Sequence, residues 1–278
     1  MFQHSRSSSL MQPLSIGNVI TVAFHLYRSH FKQYFSLTFI AVLWSLIPIY
    51  GWAKLLTINA IISRLVFSEL INKPESVNTV RSHVNPRMWT FLSTKILVLV
   101  ILFITNIVLS IPQALIGGII GTILQDNTAA INFIGSVVSL IGLAAYTWVY
   151  SRFFIPDLPL AIERNVDVKQ AISRSWELTK GHVLRLQGII IISFLIILPI
   201  IGLALIPFVF AGFSASQASN SAPVALVLSF ILILLGLIAL ILTTVFVSSL
   251  WQAIKAVVYY DLLNRREGLD LKLRKRTT

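Results

Sequence analysis

The chain has 278 residues, 56% of them hydrophobic and only 12% charged, with a mean hydropathy of +0.84; a soluble domain carries about 25% charged residues, so that class is excluded. The formal net charge of +12 does not point to nucleic acid, because basic residues crowd beside the apolar runs while residues 113–132 and 210–223 carry one aspartate, Asp126, between them, the positive-inside pattern of a membrane protein. Cysteine is absent, which excludes disulfides, thiolate metal sites and iron–sulfur clusters.

Taken in order, residues 1–14 read as a polar, Ser-rich cytoplasmic tail without the apolar core of a cleavable signal peptide. A helix starts at Ser15, a plausible N-cap. Ile16, Val19, Ile20, Ala23, Phe24, Tyr27 and Phe31 form its apolar stripe, and Arg28, His30 and Lys32 close it. The first span is expected over residues 34–52, kinked or ended near Pro48 and Gly51. Residues 54–71 are long enough to cross but carry Lys54, Arg64 and Glu69, so they read either as an interfacial helix or as a second span with its polar face against the bundle. A polar loop over 72–86 follows, then a span over 89–111 closed by Pro112, with Lys95 near enough to its end to snorkel. Gly117 and Gly121 have GxxxG spacing, which reads as a helix contact or a re-entrant turn. Residues 132–154 form the next span.

The passage 152–183 organises the rest. It holds a Pro-bracketed acidic turn (Pro156, Asp157, Leu158, Pro159), then Glu163, then a helix from Asp167 to about Lys180. Val168, Ala171, Ile172, Trp176 and Thr179 are expected to form that helix's apolar stripe, with Lys169, Arg174, Glu177 and Lys180 on its other faces. Between two spans such a helix belongs in the membrane interface, Trp176 at headgroup level. Two further spans follow, over 186–209 and 223–250; the last continues to Leu263 as a helix emerging into the cytoplasm, and residues 271–278 form a basic tail.

An internal repeat emerges when Ile20 is laid on Ile172: Leu26 then meets Leu178, His30 meets His182 and Phe24 meets Trp176. Each helix leads into a Pro-x-x-Gly, Pro48 with Gly51 and Pro199 with Gly202. Laying Asp157 on Asp261 brings Glu163 onto Glu267. The expected architecture is therefore all-α: a polytopic helical membrane protein of about six transmembrane helices plus two interfacial amphipathic helices. Residues 15–165 form the first repeat and 166–270 the second, and both termini are cytoplasmic. Five spans with inverted halves is the alternative.

The helix Ala171, Ser175, Trp176, Glu177, Leu178, Thr179, Gly181 and the ending Tyr259, Tyr260, Asp261, Leu262, Arg265, Arg266, Glu267, Gly268 resemble the membrane-domain family of glycerophosphoryl diester phosphodiesterase, close to the YciC-like membrane proteins of bacteria. The likeness runs from about Ser15 to Leu271. It implies the membrane half without the phosphodiesterase domain, and a bacterial plasma membrane as the host.

Candidate chemistry is sparse. His4, His25, His30, His83 and His182 are scattered, and no HExxH, G-x-S-x-G or phosphate-binding glycine loop occurs. The expectation is no enzyme, no metal and no cofactor. The sharper candidate is a cytoplasmic platform of Arg152, Asp157, Glu163, Arg174, Trp176, Lys180, Asp261, Arg265, Arg266 and Glu267, read either as salt bridges and caps holding helix ends or as a seat for an anionic lipid headgroup or a soluble partner. Expected partners are the lipid bilayer, a protein partner or a second copy of the chain, and no nucleic acid. The leading function is a non-enzymatic membrane module, a scaffold or a factor in lipid and envelope homeostasis; a permease-like transporter of lipids or small neutral solutes is the alternative.

Overall fold

The computed structural model describes residues 14–124, 127–216 and 222–268, and all regular structure among them is helical. The expected tails at 1–13 and 271–278 lie outside the described residues. The helices are α1 (Ile16–Ser29), α2 (Phe31–Trp44), α3 (Tyr50–Leu70), α4 (Val77–Val84), α5 (Met88–Ile123), α6 (Thr128–Arg152), α7 (Asp157–Ile162), α8 (Val168–Thr179), α9 (Val183–Ser216) and α10 (Ala222–Glu267). The chain divides into two compact units. One comprises the residues through Met88 together with those from Ile189 onward, the other Trp89–Gly188.

Among the described residues four stretches are long and apolar enough to cross a bilayer: Val77–Ile123, Thr128–Ile162, Val183–Ser216 and Val224–Glu267. Little of their apolar windows is buried. Leu140, Ile141, Leu203, Val209, Phe230 and many like them face outward, and an apolar surface this extensive is a lipid surface, not one for water. The chain is an α-helical membrane protein.

The six-span count rests on residues 34–52 and 54–71, and neither is among these four. The first is not one helix: α2 stops at Trp44 and the chain turns over Ser45–Ile49, where Ile49 takes φ 60°. Pro48 begins no new helix, but Gly51 allows the turn to close. A Cβ on Gly51 would collide with the carbonyl oxygen of Trp44, so only glycine lets α2 and α3 meet this closely. The break near Pro48 and Gly51 is therefore where the sequence places it, but it makes a helical hairpin. The matching Pro199 and Gly202 lie inside the unbroken α9. In apolar surroundings the backbone has no water to satisfy freed groups, so the helix carries through its prolines. The same holds at Pro112, which was expected to close a span but lies inside α5. Gly117 and Gly121 sit on that helix with open space where a Cβ would be; they form neither a re-entrant turn nor a packed contact among the described residues.

In the first unit α3 is the core helix. Ala60, Ile61, Ile62, Leu65, Val66 and Leu70 are buried. It packs against the second half of α10, where Ala253, Val257, Tyr259 and Leu262 are buried, and α1 and α2 pack on the same column. In the first half of α10, by contrast, most of the large apolar side chains from Val224 to Leu242 are exposed. A segment expected as polar loop, 72–86, contains α4, capped by the Ser76 hydroxyl accepting from the amide of Thr79 (3.2 Å) and anchored by buried Val80 and Val84. In the second unit α5 and α6 approach where Gly142 makes room for the Gln113 side chain.

Candidate functional site

Two groups of the expected platform residues form, one in each unit. In the second unit, α6 ends at Arg152 and Pro156 and Pro159 shape the short α7. α8 then starts on a capping box: the Asp167 carboxylate accepts from the Gln170 amide (2.8 Å), and the Gln170 side chain accepts from the amide of Asp167 (3.1 Å). Arg152 is buried at 8% exposure. Its guanidinium carbon lies 4.6 Å from the Trp176 ring centroid and 5.0 Å from that of Trp148, and Nη1 donates to the Trp176 carbonyl (3.3 Å). Ser175 Oγ donates to the Arg152 carbonyl (2.7 Å), and Arg174 Nε pairs with Glu163 Oε1 (3.2 Å). Asp157 is half-buried in the first turn of α7, and Lys180 is exposed at the end of α8.

The buried face of α8 is Ala171, Ser175, Leu178 and Thr179. It is turned from the expected stripe: Val168 and Ile172 are only half-buried, and Trp176 is 39% exposed. Close approach selects the small Ser175, whose hydroxyl is satisfied by the Arg152 carbonyl, and leaves Trp176 to cover the guanidinium from outside.

In the first unit Asp261 is 2% exposed. It accepts from the Leu14 amide (2.9 Å) and from Arg265 Nε (2.9 Å), while Arg265 Nη2 donates to the Leu14 carbonyl (3.1 Å). The pair thus clamps the chain as it enters α1, which is capped by Ser15 Oγ on the Asn18 amide (3.2 Å). Arg266 is exposed and Glu267 half-buried one turn further on. α1 buries Val19, Ala23 and Tyr27, and burial pushes the Tyr27 phenol up, so it stays protonated at neutral pH beside Ser249 (3.3 Å).

Sequence reasoning missed a polar seam along α3. Ser248 Oγ meets Asn59 Oδ1 (3.5 Å), Ser63 Oγ donates to Gln252 Oε1 (3.1 Å), His30 pairs with Glu69, and Arg64 binds Glu75 through two bonds (2.7 and 3.0 Å). The charges of residues 54–71 were legible, but their partners Glu75 and His30 come from other segments and carry no local signal. Among the described residues no His, Cys, Asp and Glu group has a metal-binding arrangement.

Beside the Arg152 group lies a groove of ≈ 680 Å³ lined by α5, α6 and the start of α9, including Ile104, Val108, Ala144, Trp148 and Gln187. Gln187 Nε2 donates to Thr147 Oγ1 (3.1 Å) on its wall, and Trp148 is shared between the groove and the Arg152 guanidinium. The arrangement is an apolar trough, one of whose lining rings, Trp148, also packs on the buried Arg152 guanidinium.

No curated protein and no solved structure matches the chain. Residues 119–275 match the family model described as the membrane domain of glycerophosphoryl diester phosphodiesterase. The match covers more than half of the chain and takes in α6 to α10, with both acidic exits and the Arg152 group, and on that ground the chain belongs to this membrane-domain family.

Proposed function

We propose that the chain is a non-enzymatic integral membrane module that binds an anionic glycerolipid, acting as a scaffold or in lipid and envelope homeostasis in a bacterial plasma membrane, with both termini cytoplasmic. The observation that carries this reading is the apolar groove whose lining ring Trp148 also stacks on the Arg152 guanidinium, itself covered by Trp176. An acyl chain fits the groove, and the phosphate of its headgroup is drawn by the field of the half-buried Arg174 and of Arg152, whose guanidinium stays behind the Trp148 and Trp176 rings. The matched caps of α1 and α8, at Ser15 and Asp167 with their N3 amides, support the two-fold repeat. α1 docks on the acidic exit at Asp261, and α8 docks on the one containing Arg152 and Glu163, so each copy's first helix serves the other copy's exit. A second reading, a lipid transporter, rests on the same groove as a loading site; a protein partner or a second copy of the chain is compatible with both.

The test is native mass spectrometry of the full chain purified from membranes. Wild type is expected to retain phosphatidylglycerol over phosphatidylcholine. Arg152→Gln should lose that preference, and Val108→Trp, which fills the groove without touching the cations, should lose retention of both. Equal retention of the two lipids by wild type overturns the reading. Lipid exchange between leaflets of proteoliposomes, faster than in empty vesicles and abolished by Val108→Trp, would move the assignment to transport.

A further inference from the structure

We propose that the α2–α3 hairpin is a wedge inserted into one leaflet of the bilayer, which enters and leaves on the same side without crossing. It goes beyond the lipid-binding reading and stands in the other compact unit.

The register of α3 on α10 limits how far the hairpin reaches. Asn59 lies opposite Ser248, Ser63 opposite Gln252, and the Phe67 ring meets those of Tyr259 and Tyr260, so the two helices run in the same direction. Tyr50, the first residue of α3, lies nine residues before Asn59. At 1.5 Å per residue that is about 13 Å, which brings the tip level with about residue 240 of α10. α10 continues back to Ala222, about 27 Å further.

The hydrocarbon core is about 30 Å thick and takes about 20 helical residues. On α10 that window lies between Ala222 and Trp251. The later it is set, the more of the exposed Val224, Leu226, Val227 and Phe230 is left in water, and a few residues past Trp251 it meets Lys255. With the window at its earliest, the tip just touches the near boundary of the core. With the window at its latest, the tip reaches about the midplane. In no position does it reach the far face. The length of α2 agrees, since 14 residues rise only about 21 Å.

The tip has the chemistry of such a wedge. Leu46 is 79% exposed, and Leu43, Ile47 and Ile49 are exposed with it. Just below them sits an aromatic and cationic collar. Trp44 packs edge-on to Tyr50 (5.6 Å), Trp52 Nε1 donates to the Ser45 carbonyl (3.2 Å), and Lys54 Nζ lies 5.7 Å over the Tyr50 ring. Amphipathic rings and a snorkelling lysine mark the headgroup level. At the other end of the hairpin the His30–Glu69 contact and the Arg64–Glu75 ion pair hold the base. The occupant of the exposed tip is thus the acyl region of the leaflet on the side of α4.

The chain lacks cysteine, so single thiols report cleanly. Leu46→Cys in sealed proteoliposomes is expected to resist a membrane-impermeant maleimide from both sides and to react at least tenfold faster once detergent is added. Arg174→Cys and Asn127→Cys mark the two aqueous faces. A nitroxide on Ile47→Cys, read by oxygen against nickel-complex accessibility, is expected at acyl depth and supplies a second site should the Leu46 variant fail to fold. Labelling of Leu46→Cys from the Asn127 side makes the hairpin a crossing pair and overturns the proposal. Labelling from the Arg174 side at the detergent rate puts the tip in water and overturns it equally.

Discussion

Asp261 and Glu163 show how position in the packing divides two carboxylates that the sequence places together in one candidate platform. Asp261 is buried, bonded to the Leu14 amide and paired with Arg265. Removing its charge strands a guanidinium and an amide, so Asp261→Asn is expected to cost about 3–5 kcal/mol. Glu163 pairs with Arg174 at 29% exposure on each side, and Glu163→Gln should cost only about 0–1 kcal/mol. Thermal unfolding in detergent of the two variants checks this; equal shifts would mean that the clamp at Leu14 contributes nothing. Asp157, which the repeat lays on Asp261, is not buried to the same degree and sits half-buried in the first turn of α7. The prolines on either side of it end α6 early, whereas α10 runs unbroken past Asp261.

Helix boundaries in this chain are written in short local signals, and two of them can be broken one residue at a time. Asp167→Ala removes the acceptor of the capping box on α8 and is expected to cost about 1 kcal/mol. Because α8 carries Trp176 over Arg152, the same change should raise the exchange rate of the amides in the first turn of α8, measured by hydrogen exchange. Gly51→Ala forces a methyl into the Trp44 carbonyl and should cost about 1–3 kcal/mol while α5, α6, α9 and α10 still insert. A Gly51→Ala protein as stable as wild type would show that the turn after Trp44 opens freely.

For the molecule as a whole, the proposed return of the hairpin to its own side, together with the four candidate spans among the described residues, keeps an even count and puts the basic connections on one face. Single cysteines at Asn78 and Arg174 are expected to label from that face, and cysteines at Asn127 and Ser216 from the opposite one. Labelling of Asn78→Cys from the Asn127 side would mean that α5, which lies between the two positions, does not cross the bilayer.

What the sequence by itself determined is what depends on short-range chemistry. The apolar runs demanded helices in lipid, the Ser15 and Asp167 caps marked the starts of α1 and α8, and Pro48 with Gly51 marked the break before α3. The clean stretch before Ile254 foretold the long α10. What only the tertiary structure decided is which surface each helix covers. Residues 54–71 have the length of a span and the charges of an interfacial helix. They become the core of one unit because Gln252, Ser248, His30 and Glu75 arrive from elsewhere to satisfy Ser63, Asn59, Glu69 and Arg64. In the same way Trp176 and Ser175 exchange their expected places on α8 because the Arg152 carbonyl needs a small hydroxyl beside it and the guanidinium needs a ring above it. Periodicity counts apolar residues along one helix, whereas burial is set by the partner, and the partner lies many residues away in the chain.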